Sequence, residues 1–186
     1  MLTVKQLLVT QLAQAFEGRP DMPLMASLAG VSEAEAAWRP GWDVTGSEAS
    51  RSQVSPEPTP SIDEIVRHIA WAKSRFCQQA FGTPMIIDDR AVTPDGDSEG
   101  VPFEMPCGCL WGLTTHPGID GAVTLLREAH AVMTRCLTDL EETKLDQPLP
   151  VRHGSSAWNF FWTMLMHDVY HAGQIRTRRT MYANRQ

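Results

Sequence analysis

An excess of positive charge, long apolar runs and abundant cysteine are all missing from this 186-residue chain. The formal net charge is -6, and an acidic chain repels a phosphate backbone, which argues against nucleic-acid binding through a general basic field. Arg176, Arg178, Arg179 and Arg185 form a local exception; such a run at a helix end reads as a solvated face that complements the helix dipole. No apolar stretch approaches the roughly 20 residues that cross a bilayer, so no membrane association is expected. The opening MLTVKQLLVTQLAQAF carries Lys5 inside an amphipathic pattern and reads as a helix, not a signal peptide. Four cysteines, Cys77, Cys107, Cys109 and Cys136, are too few and too scattered for a disulfide framework. A soluble, cytoplasmic protein with reduced thiols is the expectation.

What the chain does have is a globular balance of 42% hydrophobic and 20% charged residues, enough for a packed core and too few charges for a long disordered tract. Its length predicts one domain over residues 1–186. Val4, Leu7, Leu8, Leu12, Ala15 and Phe16 recur at helical spacing until Gly18 and Pro20 stop them, which predicts a first helix. Residues 22–38 hold two short helical pieces, the second opened by Ser32 with Glu35 three places on and closed before Pro40. Residues 41–60, rich in Ser, Pro, Thr and Gly, predict a surface loop.

Ser61 and Glu64 form a capping-box pattern, and Ile62, Ile65, Val66, Ile69, Ala72 and Phe76 make one stripe up to Gly82: a second long helix, carrying His68. Residues 82–118 have repeated Pro and Gly and no helical period, a connection longer than most in compact domains. A third helix is predicted from about Ile119 to about Thr143, and a fourth from Ser155 or Ser156 to about Tyr182. With no convincing strand pattern, the fold class is all-α: a four-helix bundle with a long loop between helices two and three.

Chemistry concentrates on the fourth helix. His167 and His171 are four residues apart, so their side chains lie one turn apart on nearly the same face. Phe160, Met164 and Ile175 share that face, which points the imidazoles into an apolar interior. Such a pair is a metal-ligand pattern or a pair of ordinary buried histidines. His68, at the edge of the second helix's stripe, is a third ligand or a core-edge histidine paired with Glu64 one turn earlier. His130 on the third helix reads as a satisfied core histidine, with a fourth ligand or acid–base group as the alternative. Gln174 is a hydrogen-bond donor near the site or a packing amide.

Other features carry weaker signals. Cys107-Gly108-Cys109 suits a soft cation or a redox pair, though small residues in a turn explain it as well. His116 and His153 read as surface loop residues. Trp38, Trp42, Trp71, Trp111, Trp158 and Trp162 read as core, interface or pocket wall, since a nucleic-acid stacking platform needs a basic groove that is missing.

SIDEIVRHIAWA around His68, MLMHDVYHAGQI around His167 and His171, and AEAAWRP ahead of the first loop together resemble the DinB-like superfamily of bacterial four-helix proteins. The resemblance covers essentially the whole chain, and its most specific part is a single His followed by HxxxHxGQI. It implies three metal ligands, carried here by His68, His167 and His171, and a bundle that is often dimeric. The split region 17–40 and the loop 82–118 depart from simpler members. Asp168 stands where HExxH proteases carry Glu, but its shorter side chain and this family context make it a structural or supporting carboxylate.

Three neutral imidazoles leave a coordination position open, as in catalytic rather than closed structural sites. Zn is the first expectation, with Ni or Fe as alternatives, because imidazole does not discriminate among them. The expected function is a metal-dependent enzyme, a thiol S-transferase or a hydrolase, acting on a small molecule such as a low-molecular-weight thiol. S-transfer is suggested by activities known for some DinB-like relatives. The alternative is a noncatalytic dimer with a structural or vestigial metal site. A homodimer is expected through the arc Trp158, Phe161, Trp162, Leu165 and Val169, or else that arc is covered by helix one.

Overall fold

The computed structural model describes residues 2–18, 23–39, 60–86, 118–151 and 154–185. Within them lie six α-helices: α1 (Val4–Phe16), α2 (Leu24–Leu28), α3 (Glu33–Ala37), α4 (Ile62–Phe81), α5 (Gly118–Asp139) and α6 (Ala157–Ala183). The described residues contain no strand beyond one isolated bridge between Pro148 and Ser156. The all-α bundle is therefore as expected, with four long helices and two short ones between the first and second.

Local chemistry sets the helix ends. Ser61 Oγ accepts from Glu64 N and Glu64 returns its carboxylate to Ser61 N, the reciprocal cap expected for α4. Gly82 ends the same helix in the left-handed conformation at φ 68°, which favours glycine. Gly118 opens α5 at φ 81°, and a Cβ there would fall 2.3 Å from Glu33 Oε1; the missing side chain lets that carboxylate accept from Ile119 N at 3.0 Å.

The third long helix ends earlier than the apolar period suggested, at Asp139, and Glu142–Lys144 form a separate 3-10 turn. The reason is a tertiary cap: Lys5 of α1 donates from Nζ to the carbonyls of Thr138 and Leu140, both at 2.8 Å. A cation against the terminal carbonyls satisfies the groups that helix ends leave open.

Two apolar clusters fill the interior. One collects Phe16, Leu24, Leu28, Ile62 to Ala72 of α4, Ile119 to Ala129 of α5, and Ala172 and Ile175 of α6. The other collects Leu8, Leu12, Ala15, Cys77, Ala80, Met133, Leu137, Phe160, Phe161, Met164 and Leu165. Both α4 and α5 run from the first cluster to the second, whereas α1 and α6 run the opposite way. Adjacent α4 and α5 are thus parallel, so the chain between them must return over the length of a 20-residue helix, about 30 Å. A two-residue turn cannot span that distance, and 36 residues separate Phe81 from Gly118. Cys77 and Cys136, far apart in sequence, come close across these parallel helices, and both are free thiols.

The arginine run does more than face solvent. Arg179 donates to Ser27 O at 3.0 Å and Ala29 O at 2.9 Å, and pairs with Glu35 at 2.9 Å. Arg178 donates to Pro60 O at 3.2 Å. These contacts clamp the end of α6 to α2, α3 and the start of α4.

Candidate metal centre

Where the two clusters meet, all three long central helices carry polar side chains: His68 and Lys73 on α4, His130 on α5, and His167, Asp168 and His171 on α6. The i, i+4 spacing on α6 puts the two imidazoles one turn apart on the same face, edge to face with 4.3 Å between centroids and 78° between planes. Antiparallel packing then brings His68 of α4 opposite them, 5.1 Å from the His167 ring and 5.0 Å from the His171 ring.

The three rings meet through the same atom. His167 Nε2 lies 3.2 Å from His68 Nε2 and 3.1 Å from His171 Nε2, and ligand atoms of all three fall within 4.8 Å of one another. Two nitrogens about 2.05 Å from one ion at a tetrahedral angle are about 3.3 Å apart, so the spacing fits a shared cation. A single proton on His167 Nε2 cannot serve both neighbours linearly, and converging lone pairs repel. The donor set, three neutral imidazoles, suits Zn, Ni or Fe.

Burial favours the neutral form of His167 and His171. His68 and His171 are each only 3% exposed. Burial, then the neighbouring imidazoles and the Lys73 ammonium, push His167 down to about 2. Burial also lowers His171, to about 4, against an opposing hydrogen bond to Gln174. An imidazole neutral throughout the physiological range has its lone pair free for a metal.

Gln174 belongs to the site: its Oε1 lies 2.7 Å from His171 Nδ1, and its Nε2 donates to the Tyr170 hydroxyl at 2.9 Å. Glu64 takes another role than partner to His68, holding the α4 cap and pairing with Arg39. Asp168 is fully buried and ion-paired to Lys73, itself fully buried, at 2.8 Å, so it is a structural carboxylate; burial raises its pKa while Lys73 lowers it. His130 stands outside the cluster, stacked on Phe16 with centroids 3.6 Å apart and planes 4° apart. Cys107, Cys109, His116, His153, Trp42 and Trp111 lie outside the described residues. Sequence reasoning missed Lys73 and Tyr170. Lys73 had a signal, because Ile65, Ile69, Lys73 and Cys77 recur every four residues and put an ammonium in an apolar stripe.

A family model described as the DinB superfamily matches residues 19–175, most of the chain. The chain belongs to the DinB superfamily. The match spans α2 to the middle of α6, and so takes in all three histidines of this DinB-superfamily protein. No curated protein and no solved structure matches the chain.

Proposed function

We propose that this DinB-superfamily protein binds one divalent metal ion, Zn in the first place, through His68, His167 and His171, and uses it as a metal-dependent enzyme on a small molecule. The convergence of three Nε2 atoms at 3.1 and 3.2 Å, with His68 and His171 buried and His167 half-buried, supports the reading most directly. With three protein ligands, a four-coordinate ion keeps a position for water or substrate.

The chain's own contribution is positional and electrostatic. Antiparallel α4 and α6 hold the imidazoles in place between the two apolar clusters. None of the three side chains brings negative charge, so the site favours an anionic partner, and a thiolate or a hydroxide fits that demand. When bound, a divalent ion supplies a Lewis acid that makes a thiol or water acidic enough to serve as a nucleophile near neutral pH. Thiol S-transfer and hydrolysis both use such a nucleophile, and a low-molecular-weight thiol is the first substrate class to screen. A homodimer in the cytoplasm completes the reading.

The test is metal analysis of purified protein with titration of zinc into the stripped form. One equivalent is expected, with binding lost in His68→Ala and His171→Ala while helicity by circular dichroism is retained, because packing supplies most of a bundle's stability. Unaltered zinc binding in both variants would overturn the assignment. Unfolding of the stripped wild type would instead identify a structural metal.

A further inference from the structure

A neutral imidazole offers a lone pair at Nε2 only when its proton sits on Nδ1, and the group that bonds the far nitrogen decides which tautomer forms. His171 has such a group. Gln174 Oε1, an acceptor, lies 2.7 Å from His171 Nδ1, while Gln174 Nε2 donates to the Tyr170 hydroxyl at 2.9 Å. His167 has no comparable support: among the described residues its Nδ1 is buried without a hydrogen-bond partner.

The geometry points to Gln174 and Tyr170 as positioning residues that set His171 in the Nδ1–H tautomer and so present its Nε2 to the metal, an inference that rests on the metal-binding reading above. All three side chains stand on α6, with Gln174 three residues after His171 and four after Tyr170, so one continuous helix fixes their spacing. The Tyr170 ring also lies edge-on to His171, 5.0 Å away at 71°, which limits rotation of the imidazole.

The chain has one other self-consistent arrangement. If the Gln174 amide turns over, its NH2 group donates to His171 Nδ1 and its oxygen accepts from the Tyr170 hydroxyl. The proton of His171 then sits on Nε2, where it points at His167 Nε2, 3.1 Å away. That arrangement blocks a cation at the convergence point. The amide orientation in the structure is the one that leaves the site open to metal, and Gln174 is the residue whose chemistry separates the two states.

Substitutions at Gln174 therefore have opposite expected effects. A carboxylate only accepts, so Gln174→Glu can match only the Nδ1–H tautomer and should retain or tighten zinc affinity. Gln174→Leu removes the partner and should weaken it by about 10–100-fold, the usual cost of losing a ligand's hydrogen-bond support. Tyr170→Phe frees the amide and should give a smaller loss of the same sign.

The experiment is zinc titration against a chelator for wild type and the three variants, with long-range 1H–15N spectra of the metal-free proteins to assign the His171 tautomer. Wild-type His171 protonated at Nδ1, with Nε2–H growing in Gln174→Leu, supports the inference. Wild-type zinc binding that Gln174→Leu leaves unchanged, or that Gln174→Glu weakens equally, overturns it. If wild type binds no zinc, the metal reading fails, and the metal-free spectra still decide the tautomer: Nε2–H in the wild type overturns this assignment.

Discussion

His130 lies face to face with Phe16, and its burial, together with the Lys73 ammonium, pushes its pKa down to about 3 from an ordinary 6.5. Between those values the unfolded chain binds a proton that the folded chain does not, so stability rises with pH there. The contribution is fully present above pH 6.5 and is lost as pH falls toward 3; His167 and His171, also lowered, act in the same direction. Each such group adds a slope of up to about 1.4 kcal/mol per pH unit. Urea midpoints of metal-stripped protein should fall between pH 7 and pH 5, and His130→Phe should flatten that fall while keeping an aromatic ring on Phe16. An equal slope in the variant would show that His130 titrates alike in the folded and unfolded chains.

The contact between α4 and α6 is decided by a pair of charges with no access to water, Lys73 and Asp168 at 2.8 Å. His167 and His171 flank Asp168 on α6, and Cys77 of the second apolar cluster follows Lys73 one turn on along α4. Removing one partner strands a buried charge, so Lys73→Met or Asp168→Leu alone should cost about 3–5 kcal/mol. The double variant Lys73→Met with Asp168→Leu should recover most of that loss, because apolar groups of similar size replace a buried ion pair at little net cost. Denaturant melts of the four proteins form the cycle that checks it. Additive losses would mean that the two charges do not depend on each other.

Across the molecule, the apolar arc expected on α6 divides. Phe161 and Leu165 are buried by the chain's own second cluster, and Trp158 and Val169 pack partly against it. Trp162 of the arc stays exposed at 44%, and with Met166 at 47% and Tyr170 at 62% it forms a stripe at one-turn spacing on α6, while α1, which packs against α6, exposes Val4 and Leu7. Exposed apolar patches of this kind mark association surfaces. The proposed homodimer is thus expected to use this stripe: light scattering at micromolar concentration should give a dimer, and Trp162→Glu with Met166→Glu should give a folded monomer. A monomeric wild type would remove the dimer, and a double variant that stays dimeric would place its interface elsewhere.

Helical period, the Ser61–Glu64 and Ser32–Glu35 caps and the stops at Gly82 and Pro40 made the helices legible, because these signals act over a few residues and need no partner. The His167–His171 pair was legible for the same reason: a helix sets their spacing. His68 was not legible from spacing, since nothing local says which face of another helix it meets; the family resemblance supplied it. Only tertiary packing decided that α4 and α5 run parallel, that Lys5 ends α5, that Arg179 clamps α2, and that Lys73 finds Asp168 from 95 residues away. The difference is physical. Caps and periodicity are set by bonds within one turn, whereas burial, long-range ion pairs and the convergence of imidazoles depend on which helices lie side by side.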